Sequence, residues 1–234
     1  MNVDKTKIMI FSRGRQPQNI FFSLNGLELE VVNSFTYLGF ILSKTGNFNL
    51  AKKSIADKGF KAMYEVLKLG RLHNLTTPCQ LDLFDKMFKP VLLYGCELFG
   101  YGNCDIIKRV HLTFCKMLLH MKSSTPSFMV YGELGRYPLA NDIKIRIVSY
   151  WEECIDGKQS NLSNILYELC LALSNIEGNN FIRLSSVKGI LKECGLAYIW
   201  NTQTFQNTEW LKANPDRSIH IALVIFNSKL TKSS

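Results

Sequence analysis

The amino-acid sequence predicts an α+β protein, with a small antiparallel β-sheet at the N-terminus followed by a predominantly α-helical array. Three observations carry that reading. β-prone runs flank Asn25-Gly26, a dipeptide suited to a type I′ turn. At Asn47 the hydrophobic period changes to helical, with Ala56, Phe60, Met63 and Leu67 at i, i+4, i+7 and i+11. From there, helix start and stop signals recur along the chain.

Lys7 to Phe11 is a short β-prone run. Ile20 to Leu24 and Leu27 to Val32 are the expected arms of the hairpin. Phe35 to Leu42 reads as a further strand beside it, in which Gly39 allows another backbone to approach closely. Asn47 is the expected cap of the first helix and Gly70 its stop. In the second helix Thr77 caps, Pro78 takes the first helical position and Gln80 completes a capping box. That helix runs through Leu81, Phe84 and Phe88 until Pro90 kinks or ends it. A third spans Asp105 to Met121, with Ile107, Val110, Phe114, Leu118 and Met121 on one face. A short fourth starts at Thr125-Pro126 and stops before Gly135, and a fifth runs from Pro138 to about Ile155. Leu162 to Leu173 and Ser186 to Cys194 follow, the last stopped by Gly195. The pattern fades after Trp200, and Ser174 to Asn180 is the expected soft boundary.

Composition sets the class of partner. In 234 residues, 47% are apolar and 20% charged, which fits a folded globular chain. The net charge of +9 favours polyanions, phosphate backbones before anionic lipid. A basic protein with no such partner carries the same charge. The seven cysteines include no CxxC or CxxH pair, so a zinc finger is not expected. They read as reduced core thiols in an intracellular protein, cytoplasmic or nuclear. Met1 runs directly into the charged Asp4-Lys5-Thr6-Lys7, so no signal peptide is expected. A membrane partner is not expected either, because the longest apolar run, Ile219 to Phe226, is short and interrupted by His220.

Catalytic constellations are missing. The sequence has no adjacent aspartates, no GxxxxGK[ST], no GxSxG and no HExxH. His73, His111, His120 and His220 are isolated. Asp82 and Asp85 share a helix face, but Lys86 and Lys89 beside them make two solvated acids the simpler reading. Basic residues with aromatics between them are the stronger signal. Lys52, Lys53, Lys58, Lys61 and Lys68 lie on the first helix with Phe60 and Tyr64, and Lys108, Arg109 and Lys116 on the third. Lysines neutralise phosphates, and aromatics stack on bases or pack in a core. An ordinary solvated face has the same pattern.

The order of motifs adds a resemblance. Asn2-Val3-Asp4-Lys5-Thr6-Lys7-Ile8-Met9-Ile10-Phe11 opens the chain, the Asn-Gly hairpin follows, and then Asn33-Ser34-Phe35-Thr36-Tyr37-Leu38-Gly39. This succession resembles the end of the palm domain in reverse transcriptases of non-LTR (LINE-like) retrotransposons, where a lysine-bearing motif D precedes a primer grip. Pro90-Val91-Leu92-Leu93-Tyr94-Gly95-Cys96-Glu97 resembles the segment after the family's thumb. Phe114 to Leu119, Tyr131 to Leu139 and Cys194 to Trp200 resemble parts of its C-terminal region. The likeness covers roughly residues 1 to 212, and the stretch after Asn214 matches nothing in the family.

The resemblance implies the end of the palm over 1–46, thumb-like helices over 47–125 and a C-terminal helical region with a diverged tail over 126–234. It implies that Lys5 matches the lysine that protonates or neutralises the leaving pyrophosphate. Phe35, Tyr37, Leu38 and Gly39 match the primer grip, and the lysines of the first helix would contact the template–primer backbone. The implied partners are RNA, DNA or an RNA–DNA hybrid, bound non-specifically. The family's chemistry uses two magnesium ions held by palm aspartates in an [FY]xDD turn and an earlier strand. Neither motif is present here, so the chain is expected to carry no cofactor and to be inactive alone, as a fragment or relic starting inside the palm. The alternative is a co-opted, non-enzymatic helical module that binds another protein.

Overall fold

The computed structural model describes residues 6–11, 21–155, 161–174, 176 and 181–203. Lys5, most of the expected boundary at 174–180, and everything beyond Gln203 lie outside them. The architecture is α+β, with strands before Lys44 and helices from Asn49 onward. The chain divides into two compact units, 1–92 and 93–234. The strands and the first helices thus share one unit.

Among the described residues of the first unit, six strands form three two-stranded ladders. Strands β2 (Ser23–Leu24) and β3 (Leu27–Glu28) make the expected hairpin. Asn25 and Gly26 both take positive φ, 53° and 79°, the backbone that a type I′ turn requires. The rest differs from a single antiparallel sheet. Strand β1 (Lys7–Ile8) pairs in parallel with β4 (Glu30–Val31), and Lys7 forms an ion pair with Glu30. The expected strand from Phe35 to Leu42 is a second hairpin, β5 (Ser34–Tyr37) and β6 (Phe40–Ser43), turning at Leu38-Gly39. Among the described residues it pairs with no other strand.

Helix α1 spans Asn49–Leu72 and buries Ile55, Ala56, Met63, Val66 and Leu67 on one side. The N-cap is Phe48, one residue later than the expected Asn47, whose side-chain Oδ1 accepts the Asn49 N–H at 3.2 Å from the position before it. Gly70 is not the stop. The helix continues two residues further, and a Cβ at 70 would lie 2.3 Å from Gln80 Oε1. This glycine therefore serves close approach of the next helix. Gln80 in turn completes no capping box, because its Nε2 donates to the Leu75 carbonyl at 2.9 Å. Helix α2 (Thr77–Leu83) is capped at Thr76, one residue earlier than expected.

Pro90 neither ends nor breaks this path. A proline ring clashes with the carbonyl four residues back and offers no N–H. Here a π turn over Phe84–Phe88 precedes it, with the Lys89 N–H bonded to the Phe84 carbonyl. The wider turn absorbs the proline, and α3 (Lys89–Leu92) carries on. Phe84 and Phe88 fill the core edge to face, with centroids 4.8 Å apart.

The second unit is helical throughout its described residues. It comprises α4 (Cys96–Phe99), α5 (Asp105–Leu118), α6 (Ser127–Glu133), α7 (Leu139–Ile155), α8 (Asn161–Ser174), α9 (Ile182–Glu193) and α10 (Ala197–Thr202). Ile107, Val110, Phe114 and Leu118 are buried on one face of α5, while Met121 lies past the helix end and is half-buried. Gly195 ends α9 at φ 75°, and the Leu196 N–H reaches back to the Leu191 carbonyl at 2.8 Å. Ion pairs Arg146–Glu97 (3.0 Å) and Lys144–Glu193 (2.5 Å) tie α7 to α4 and α9. Five cysteines are buried, Cys170 is half-buried and Cys79 is exposed. Burial pushes the Cys96 and Cys115 thiols up to about 12, so both stay neutral core groups. Among the described residues no helix is long and apolar enough to cross a membrane.

Two glycines of this unit predict opposite outcomes for the same substitution. A Cβ at Gly100 would lie 2.5 Å from the Cys96 carbonyl and 2.8 Å from Ile143, whereas one at Gly189 in α9 meets nothing within 4 Å. Gly189→Ala is expected to stabilise by about 0.5–1 kcal/mol through helix propensity. Gly100→Ala is expected to cost about 1–3 kcal/mol through overpacking. Urea unfolding of the two variants measures both.

Candidate nucleic-acid interface

The structure brings the expected Phe35–Gly39 segment, within the β5–β6 hairpin, together with the lysine face of α1. A lone two-stranded hairpin is marginal in water and needs an anchor. Here β6 packs on α1. Phe40 is buried, its ring meeting Phe48 edge to face at 5.7 Å. Below it, Ser43 Oγ shares a hydrogen bond with Thr45 Oγ1 at 2.8 Å and donates to the Asn47 carbonyl at 3.2 Å. The loop entering α1 is thereby fixed to the end of the hairpin.

The tip is held from the helix side. Leu38 and Gly39 both adopt positive φ, 47° and 80°. For a leucine this backbone costs roughly 1–2 kcal/mol, so the turn depends on its surroundings. Lys58 Nζ donates to the Gly39 carbonyl at 3.2 Å, tying the turn to the middle of α1. All four residues of β5 are exposed. Tyr37 and Leu38 are 60% and 75% exposed and Phe35 38%. The hairpin thus keeps one apolar residue, Phe40, in the core and presents an aromatic strand and an apolar tip to solvent.

Four of the five expected lysines share one face. Lys53, Lys58, Lys61 and Lys68 are exposed. At about 100° per residue they span an arc of roughly 140° that also holds Tyr64. Arg71 falls on the same arc and was missed, because the helix was expected to end at Gly70. Asp57 and Glu65 interrupt the arc with two acids. Lys52 points elsewhere. It is 8% exposed and lies on the side of α1 that carries Ile55, Ala56 and Met63, so it belongs to the packed side.

Lys108, Lys116 and Asp82 are tied up locally. Lys108 pairs with Asp105 at 2.5 Å, and Lys116 Nζ donates to the Ser123 carbonyl at 2.5 Å. Asp82 pairs with Lys86 one turn on at 2.7 Å, as solvated helix charges do. His111 is buried against the Tyr131 ring, with centroids 5.4 Å apart. Among the described residues no three His, Cys, Asp or Glu side chains converge to hold a metal ion. No protein-family model, curated protein or solved structure matches the chain.

The division between anchor and exposed tip has a stability signature. Phe40→Ala should cost about 2–4 kcal/mol, in the range of large core truncations. Tyr37→Ala, at a mostly exposed position, should change stability by less than about 0.5 kcal/mol. Chemical denaturation of both variants checks the contrast.

Proposed function

We propose that this chain is a segment of a retrotransposon-type RNA-directed DNA polymerase that retains a template–primer-binding surface and has no polymerase activity of its own. One observation carries the reading. Lys58 joins the turn of the primer-grip-like hairpin to a helix face bearing Lys53, Lys61, Lys68 and Arg71. A strand tip with exposed aromatics beside a row of cations suits a nucleic-acid backbone and an unstacked base. The sequence holds no paired aspartates, so nothing in it supplies the metal-held chemistry of polymerisation.

Binding in this reading is weak and independent of sequence. With few phosphates contacted, the affinity for an RNA–DNA hybrid is on the order of micromolar or weaker. Each phosphate neutralised contributes about −0.9 to the log-log salt slope. Replacing Lys53, Lys61 and Lys68 with Gln is expected to flatten that slope by about two to three units, while the helix persists because Gln is a comparable helix former. Lys52→Gln is expected to leave the slope unchanged. Fluorescence anisotropy with a labelled hybrid at several salt concentrations reads both. A triple variant that keeps the wild-type slope sinks the proposal.

A second reading, a helical module that binds another protein, has its own observation. Leu162, Ile165, Leu166 and Leu169 follow one another at i, i+3, i+4 and i+7 along α8, and all four are exposed. An unchanged salt slope would favour this reading over the first.

A further inference from the structure

The second unit contains a cavity that the proposed function does not use. It lies between α7, α8 and α9, has a volume of about 230 Å³, and is walled mainly by Tyr101, Trp151, Leu166, Phe181 and Val187. Its existence follows from how α8 is seated. No described side chain of α8 is fully buried, and Trp151 Nε1 donates to the Tyr167 hydroxyl at 3.0 Å, bridging α7 and α8. That hydroxyl also donates to Gln203 Oε1 at 2.5 Å. A helix bridged at Tyr167, with no buried side chain of its own, leaves apolar volume unfilled beneath it. Its lining is mostly apolar and aromatic, as in sites that take small organic molecules.

Among the described residues that line it, one side chain, Arg183, is charged. Arg183 stands over the Tyr101 ring with its guanidinium carbon 5.4 Å from the centroid, and Ser186 Oγ donates to the Tyr101 carbonyl at 3.2 Å, fixing α9 against that residue. Among the described residues no carboxylate forms an ion pair with Arg183. A guanidinium presents its planar N–H donors in the fork that matches a carboxylate. The lining therefore offers apolar walls, aromatic faces and a single cation.

We propose that this cavity binds a small organic monoanion with one flat apolar ring, its carboxylate on Arg183 and its ring among the aromatic walls. The volume lies below the roughly 300 Å³ of ordinary small-molecule sites, which limits the ligand to about one ring. A nucleotide is larger than this volume admits. The proposal is independent of nucleic-acid binding, since every residue in it belongs to the second unit.

The test uses the full chain, with benzoate and its neutral counterpart benzamide as probes. Trp151 in the wall reports occupancy by fluorescence, and isothermal titration calorimetry gives the affinity. Benzoate is expected to bind saturably with a Kd on the order of 1 mM or tighter, corresponding to at least about 4 kcal/mol. Benzamide should bind at least tenfold more weakly. Arg183→Gln, an exchange at an exposed helix position, should remove the preference for benzoate and leave benzamide unchanged, and circular dichroism should show the same helix content. Arg183→Lys should retain part of the preference. The proposal is overturned if benzoate shows no saturable binding below ~10 mM, if benzamide binds as tightly, or if Arg183→Gln binds benzoate as the wild type does.

Discussion

The candidate site depends on the seating of a ten-residue hairpin on α1. Phe40 provides the seat. It is the buried residue of the hairpin's apolar set, and its contact with Phe48 joins the strand pair to the residue that opens the helix. Everything exposed beyond it, from Phe35 to Gly39, projects from a segment that would not hold its shape alone. The strained leucine at the turn fits the same logic. A positive φ at Leu38 is unfavourable in isolation and is sustained by the β5–β6 ladder on one side and by Lys58 on the other.

Lys58 then has a structural task before any other. Its ammonium group holds the Gly39 carbonyl, while Lys53, Lys61, Lys68 and Arg71 are exposed on the same arc. Salt-dependent affinity should track these residues, whereas the orientation of the tip should track Lys58. Two acids on the same arc, Asp57 and Glu65, keep the local charge modest, which agrees with weak rather than tight attraction to a polyanion.

Much of the fold was legible where local chemistry decides conformation. Asn25-Gly26 announces its turn because both residues tolerate the left-handed region. The apolar period of α5 announces its buried face because Ile107, Val110, Phe114 and Leu118 fall on one side of the helix. The misreadings fall where packing overrides local preference. Leu38-Gly39 gave no turn signal, since leucine seldom takes positive φ, and the two strands merged into one. Gly70 resembled a helix stop, yet its missing Cβ makes room for Gln80. Pro90 resembled a break, yet a π turn of five residues accommodates it. In the candidate site, helical periodicity placed Lys53, Lys58, Lys61 and Lys68 on one face. Charge counting alone drew in Lys52, whose position on the apolar side of the same wheel was available to the same periodicity. The bond from Lys58 to Gly39 spans nineteen residues and leaves no trace in local sequence.

The central claim is that the hairpin tip and the lysine face are one surface for nucleic acid. Site-specific photocrosslinking tests it most directly. Tyr37 at the tip, Tyr64 among the lysines and Tyr198 on α10 are all exposed, and each can be replaced in turn by p-benzoylphenylalanine. With an end-labelled RNA–DNA hybrid at low salt, the account predicts crosslinks from positions 37 and 64 and none above background from position 198. Equal labelling at all three positions, or labelling confined to position 198, would contradict it.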